Sequence, residues 1–224
     1  MHRPATLSAV VSGVLVAAIA LAGCSGSGSD SGSGEAVTDD TTATGLGATT
    51  LPRSVTGAVD LRRLVVSNAP VGYDLLASPP FGAVTLQRLV DEFSDAPVED
   101  RVILEGARFK GGYTRGWLRD DPRSFLGVFV FEFAEEEGAR SARDQFAAQN
   151  EAKKNASRFT VDGIAGAVGE SYTQQTEGEA PERVHVITFV RGARLYQVAG
   201  QFPDEQAIPD ETVAFARVQD QIAA

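Results

Sequence analysis

The 224-residue sequence predicts an α+β domain, an antiparallel sheet of about five strands with helices packed against it. Two observations indicate this class. Hydrophobic patterns typical of helices and strands follow one another in the order α-β-β-α-β-β-β-α, which differs from the strict alternation of a parallel doubly wound fold. All twelve Phe, all four Tyr and the single Trp lie after residue 72, so the aromatic core belongs to the C-terminal part of the chain.

The first predicted elements are a helix and two strands. Apolar residues at helical spacing over residues 84–93 predict a short helix. Residues 101–119 alternate and predict a long strand, in which four glycines indicate a bend or bulge. The apolar face of this strand is expected to carry Ile103, Phe109, Tyr113 and Trp117. After a turn at residues 120–123, the next strand, residues 124–133, is apolar on both faces, as central strands are.

A helix, three strands and a closing helix follow. Three successive acids, Glu135 to Glu137, predict the start of the second helix, because negative side chains favour the positive end of the helix dipole. A strand over 165–174 precedes a hairpin, whose strands at 184–190 and 195–202 flank a short loop containing glycine. Pro209 predicts the start of the final helix. The side chains expected to dock this helix on the sheet are Val213, Phe215, Val218 and Ile222.

The first 23 residues have the order of a secretory signal peptide. His2 and Arg3 precede an apolar run from about Leu7 that is shorter than the roughly 20 residues a bilayer span needs. A transmembrane helix and plain secretion are the alternatives. The run Leu21-Ala22-Gly23-Cys24 resembles the lipobox of bacterial lipoproteins, in which the cysteine thiol is lipidated and the chain is cleaved before it. The resemblance implies a lipid anchor on Cys24 and a location on the outer face of the bacterial cytoplasmic membrane.

Three segments are therefore expected. Residues 1–23 are a lipoprotein signal peptide, residues 24–56 a lipidated cysteine and disordered tether, and residues 57–224 a single globular domain. The tether is rich in Ser, Gly and Thr and lacks aromatic residues, so it cannot bury enough apolar surface to fold. As a coil of about 30 residues, it holds the domain on the order of 30 Å from the bilayer. Its threonines are candidate sites of O-linked glycosylation, and the alternative is an unmodified polar spacer.

Composition excludes several functions. The formal net charge of −10 opposes binding to nucleic acid, and no nucleic-acid-binding module is recognisable. Once Cys24 carries lipid and the signal peptide is removed, His185 is the only remaining histidine or cysteine, too few for a zinc site of the usual three nitrogen or sulfur ligands. We expect His185 to be a surface or half-buried strand residue. No nucleophile, phosphate-loop or calcium-loop motif is present. We therefore expect no enzyme, metal or cofactor; a carboxylate-based hydrolase is the least favoured alternative.

One strand combines basic and aromatic side chains in an otherwise acidic protein. The segment from residue 108 to residue 117 reads RFKGGYTRGW. Arginine and aromatic side chains together can clamp a carboxylate or a sugar, so Arg115 and Trp117 are tentative ligand-binding residues. The alternative is that the aromatic side chains, which share one strand face, are core residues.

Three stretches of the chain resemble actinobacterial surface lipoproteins of the mycobacterial Lpq type. They are LVV through PVGY at residues 64–73, FxxGYxRxW at 109–117, and VFVFEF at 128–133 followed by EGA at 137–139. A looser resemblance is to extracellular sensor domains of mycobacterial serine/threonine kinases. These resemblances imply a small α+β module that binds envelope components and carries no catalytic residue.

We therefore expect a non-catalytic binding or sensing module for an envelope lipid, glycan or protein. The alternative is an accessory protein that docks another envelope protein. A cavity would favour the binding module, whereas an exposed flat apolar surface would favour docking.

Overall fold

The structure is a computed structural model that describes residues 61–76, 81–176, 180–203 and 207–224. The expected signal peptide, the lipidated Cys24 and the tether lie outside the described residues. After a short 3-10 helix at Arg62–Leu64, the helices are α1 (Leu86–Phe93), α2 (Pro97–Gly106), α3 (Glu136–Glu151) and α4 (Asp210–Ala223). The strands are β1 (Asp74–Leu75), β2 (Gly82–Val84), β3 (Phe109–Asp120), β4 (Arg123–Phe133), β5 (Ser157–Phe159), β6 (Val168–Gln174), β7 (Glu182–Arg191) and β8 (Arg194–Phe202).

The strands form one sheet in the order β1-β3-β4-β8-β7-β6-β5, and β2 also pairs with β3. Every pair is antiparallel. The expected α+β class is therefore confirmed. The five expected strands correspond to β3, β4, β6, β7 and β8, and the three further strands in the described residues are only two or three residues long.

The expectation of an extended stretch from residue 101 is wrong, because residues 97–106 form α2. Pro97 stands at the first helical position, where its missing N–H costs nothing, and Glu99 and Asp100 lie at the positive end of the helix dipole. Ile103 and Leu104 are buried on the inner side of α2. Ile103 therefore shares no strand face with Trp117.

A bulge at the start of β3 changes which side chains face together. The register against β4 shifts between Phe109 and Gly111, which puts Phe109 opposite Phe133 and Tyr113 opposite Val130. Because neighbours along a strand point to opposite faces, this one-residue shift separates Phe109 from Tyr113 and Trp117. The expected bulge is present, but the expected single aromatic face is wrong.

Helices cover both faces of the sheet. On one face, Phe129 of β4 meets Phe93 of α1 edge to face, with ring centroids 5.7 Å apart. On the other face, Leu126 and Val128 join a core cluster that includes Phe215 of α4. Strand β4 is thus buried on both sides, as its sequence predicts.

Helix α4 lies against the second face with a different stripe from the one predicted. Its buried side chains are Thr212, Phe215, Ala216 and Gln219. Phe215 docks as expected, but Val218 and Ile222 are 46% and 37% exposed. These two side chains leave an apolar edge of the helix uncovered, next to the chain segment that precedes β1.

Candidate functional site

An apolar groove runs between α4 and residues 66–71. Its volume is about 410 Å³, and it opens to solvent. Its apolar lining consists of Val66, Ala69, Pro70, Val71, Leu126, Ala214, Phe215, Val218 and Ile222. In the part of the chain that the structure describes, only Ser67, Asn68 and Glu211 add polar side chains to the lining. This combination of mostly apolar walls with a few polar groups is typical of sites for small molecules.

A glutamine holds the N-terminal wall of the groove in place. The side chain of Gln219 is buried within α4; its Oε1 accepts a hydrogen bond from the backbone N–H of Val66, and its Nε2 donates to the carbonyl of Leu64. The Val66 distance is 3.0 Å, and the Leu64 distance is 2.6 Å. Gln219 therefore fixes residues 64–66 against the helix as a neighbouring strand would.

The rim of the groove is formed by a tight turn. The N–H of Tyr73 donates to the carbonyl of Pro70 at 3.0 Å, and Gly72 has a φ of +82°. This geometry is that of a type II turn, which favours proline at the second position and requires a residue such as glycine at the third. In this chain valine follows Pro70, so the turn places Val71 at its tip, where it is 99% exposed. An isolated valine at a turn tip would be unremarkable, but Val71 borders an apolar cavity.

One end of the groove carries paired charges. Glu211 lines the cavity and accepts hydrogen bonds from Arg119 at 3.1 and 3.3 Å. The Arg119 guanidinium also lies over the ring of Tyr73, 4.7 Å from its centroid. Burial, and then the nearby negative charge of Glu211, raise the pKa of the Tyr73 hydroxyl. This end therefore presents polar atoms with no net charge.

Arg115 and Trp117 lie behind the groove. Arg115 Nη1 donates a hydrogen bond to the carbonyl of Val66, and Trp117 packs edge to face on Phe215 with centroids 5.1 Å apart. Both partners line the cavity, but the Trp117 side chain has no exposed surface. The two predicted site residues thus come together on one face of β3 and support the walls. Their role in ligand binding stays a prediction.

A cluster of charged side chains lies on the opposite face of the sheet, with Asp100 buried and Asp95 and Lys153 partly exposed. Asp100 accepts a hydrogen bond from Gln149 at 3.0 Å, while the ammonium of Lys153 lies 3.5 Å from Asp95 and 4.5 Å from the centre of the Tyr172 ring. Burial raises the pKa of both aspartates and lowers the pKa of Lys153. These contacts join α2, α3 and β6. Sequence patterns do not indicate this cluster, because Asp95 and Lys153 lie next to helix ends and Asp100 lies in the first turn of α2, all places where solvated charges are usual.

His185 is buried and electrically neutral near neutral pH. Its ring lies 6.0 Å from the Phe159 ring and 5.6 Å from the Phe202 ring, and burial lowers its pKa to about 4, with the charge of Arg183 adding to the effect. The expectation of a surface or half-buried histidine is wrong, because β7 is an interior strand whose covered face includes this position.

Within the described ranges, no group of three or more His, Cys, Asp or Glu side chains is placed to hold a metal ion. Likewise, none of the helices between residues 61 and 224 that the structure describes has the length and apolar character to cross a bilayer.

Comparison with known proteins yields a structural likeness and no match in sequence. No family model matches the chain, and no curated protein matches it. Among solved structures, the extracellular domain of PknH from Mycobacterium tuberculosis is similar, with a TM-score of 0.49 and 11% sequence identity over 74% of this chain and 95% of that chain. Because identity and TM-score are this low, the likeness indicates no function for this chain. The resemblance to Lpq-type lipoproteins stays a prediction.

Proposed function

We propose that the protein is a lipid-anchored, non-enzymatic binding module on the outer face of the cytoplasmic membrane, and that its groove takes the apolar chain of an envelope amphiphile. The groove itself is the observation that carries this proposal. Its volume of about 410 Å³ lies in the range of small-molecule sites, about 300–1,000 Å³. The expected lipid on Cys24 would keep the domain close to a membrane, where such ligands are concentrated.

The hydrophobic effect supports an apolar occupant. Val71, Val218 and Ile222 all border the groove and remain partly or wholly exposed. Complete burial of one such side chain is worth about 1.5–3 kcal/mol, so covering these three partly exposed residues yields several kcal/mol. An alkyl chain fills a narrow groove of this kind without leaving hydrogen-bonding groups unpaired.

The polar end of the groove suits an uncharged or zwitterionic headgroup. Arg119 and Glu211 neutralise each other, so a bare anion would have to displace Glu211 from the guanidinium. Hydroxyl groups, in contrast, can donate to Glu211 while the ion pair stays intact. The ligand expected from these contacts has one apolar chain and a neutral polar head.

The alternatives find less support in the same groove. A glycan site usually offers aromatic faces and several hydrogen-bonding side chains, whereas Phe215 is the only aromatic residue among the described residues that line the groove. A carboxylate hydrolase needs two acids across a cleft, and this lining contains one, Glu211, which Arg119 holds. Docking of another envelope protein would favour a flat apolar surface over a concave one.

A fluorescent single-chain amphiphile with a neutral headgroup tests the proposal on the full chain. Val218→Asp places a charge at the groove wall and should weaken binding tenfold or more, about 1.4 kcal/mol. Val98→Asp is the matched control, because Val98 is 72% exposed on α2 and does not line the groove. Its affinity should equal that of the wild-type protein.

Two results contradict the proposal. One is a wild-type protein that does not bind the amphiphile at concentrations below its critical micelle concentration. The other is equal affinity in the Val98→Asp and Val218→Asp variants, since the groove would then not be the place where the chain binds.

A further inference from the structure

A second, polar cavity lies at the end of α3, beside β5 and β6. Its volume is about 230 Å³, and it shares no lining residue with the apolar groove. The polar side chains around it are Asn150, Glu151, Ser157, Arg158, Glu170 and Ser171. We refer to it as the polar cavity.

Two residues that line the polar cavity carry buried acceptor atoms without a donor among the described residues. Glu170 is 3% exposed and Asn150 is 1% exposed. Asn150 Nδ2 donates to Glu170 Oε2 at 2.9 Å, but Glu170 Oε1 and Asn150 Oδ1 have no hydrogen-bond partner among the described residues. A buried polar atom left unpaired costs about 1–3 kcal/mol, so this arrangement calls for a donor.

The other polar groups around the cavity are already paired. The hydroxyls of Ser157 and Ser171 lie 3.0 Å apart, and both accept hydrogen bonds from Arg183. Arg158 forms an ion pair with Glu151 at the rim. Among the described atoms at this cavity, the buried acceptors without a partner are therefore Glu170 Oε1 and Asn150 Oδ1, and the first of these belongs to a carboxyl group.

We propose that the polar cavity binds a primary ammonium group, which donates to Glu170 Oε1 and Asn150 Oδ1. An ammonium carries three N–H donors and a charge opposite to that of the carboxylate, so it satisfies both atoms and neutralises the buried charge. No group of three metal-ligating side chains is found here in the described part of the chain, which favours an organic cation over a metal ion.

The titration of Glu170 agrees with a site for a cation. Burial raises its pKa to about 7; the Asn150 hydrogen bond and the charge of Arg158 lower it, and the charge of Glu151 raises it. Tyr172, its neighbour on the same face of β6, adds no charge because burial raises its own pKa. A cation that binds only the ionised carboxylate competes with the proton. At a concentration ten times its dissociation constant, it lowers the apparent pKa by about one unit.

The experiment is a pH titration of the full chain by carbon NMR of the glutamate carboxyl groups, with and without ethylammonium chloride. The Glu170 signal is identified as the one missing from Glu170→Gln. This variant should fold, because its amide can accept from Asn150 Nδ2 and donate to Asn150 Oδ1. Tetramethylammonium chloride at equal concentration is the control, since it has the same charge and no N–H donor.

We expect ethylammonium to lower the pKa of Glu170 by about one unit and tetramethylammonium to leave it unchanged. Calorimetry should show that ethylammonium binds the wild-type protein and binds Glu170→Gln at least tenfold more weakly. Glu137→Gln is the control, because Glu137 is exposed at the start of α3; it should bind ethylammonium as the wild-type protein does. If Glu170→Gln does not fold, calorimetry of the wild-type protein tests the proposal by itself: ethylammonium should bind and tetramethylammonium should not.

Three results overturn the proposal. Equal effects of the two cations would reveal only a general salt effect. An unchanged pKa at saturating ethylammonium would mean that Glu170 and Asn150 only satisfy each other. Equal binding of neutral acetamide would assign the cavity to an uncharged donor.

Discussion

The variant Trp117→Ala shows whether Trp117 stabilises the core or binds a ligand. The sequence allows both roles. The indole has no exposed surface and packs edge to face on Phe215, which itself lines the apolar groove. Replacing it by alanine removes the largest fully buried side chain of the core. We expect a large loss of stability and, as a secondary effect, a distorted groove wall.

The magnitude follows from the contacts. Truncation of a buried Trp costs about 3–5 kcal/mol from lost transfer energy and the cavity left behind. Part of this is the edge-to-face aromatic pair, worth about 0.5–1.5 kcal/mol. The indole N–H has no acceptor among the described residues, and removing a buried unpaired donor offsets about 1 kcal/mol of the loss. We therefore expect about 3 kcal/mol.

Urea denaturation of the full chain, followed by circular dichroism, measures this loss. A change of 3 kcal/mol corresponds to a drop of roughly 10 °C in Tm for a domain of this size. Val98→Ala, at a residue 72% exposed on α2, should change stability by no more than about 0.5 kcal/mol. A loss below about 1 kcal/mol in Trp117→Ala, together with lost ligand binding, would refute packing and assign Trp117 and Arg115 to the ligand.

Three further predictions concern the anchor, the domain boundary and pH. Cys24→Ser should leave the precursor uncleaved and unlabelled by a palmitate analogue, because no other residue can take the lipid; retained label would disprove the anchor. Proteases should remove residues 25–50 without changing the Tm of the 57–224 domain, whereas a drop of several degrees would place the boundary elsewhere. Because the folded protein raises the pKa of Glu170 from 4.5 to about 7, the stability this group contributes is full below about pH 4.5 and falls as pH rises through 7. The difference is about 3 kcal/mol. The free energy of unfolding of Glu170→Gln should therefore fall less between pH 4.5 and 7 than that of the wild-type protein. An equal fall in both proteins would contradict a raised pKa of Glu170.

Local pattern predicted most of the fold. The central strand β4, the hairpin of β7 and β8, and the starts of α3 and α4 follow from hydrophobic period, turn residues and charge at helix ends. Helix α2 was missed because its apolar residues join the alternating pattern of β3 without a clear break. The one-residue bulge at the start of β3 was expected, but not its position, which decides the face of Phe109.

The groove could not be predicted in this way, because residues far apart in sequence build it. Gln219 accepts a hydrogen bond from the backbone of Val66, which lies 153 residues away in the sequence. A glutamine within a helical pattern predicts a solvent-exposed side chain, so this contact could not be expected. Val218 and Ile222 read as core residues, although they border a cavity. The sequence did point to Arg115 and Trp117, the side chains that support the walls of the groove, since basic and aromatic residues stand out in an acidic chain.

Native mass spectrometry of the full-length protein, purified from its own membrane in a mild detergent, tests the central claim most directly. A lipid on Cys24 is covalent and stays at high collision energy, whereas a ligand in the groove is released as a separate mass. We expect a released single-chain amphiphile from the wild-type protein and from Val98→Asp, and none from Val218→Asp. A wild-type protein that carries no releasable ligand, or a Val218→Asp variant that carries the same one, would contradict it.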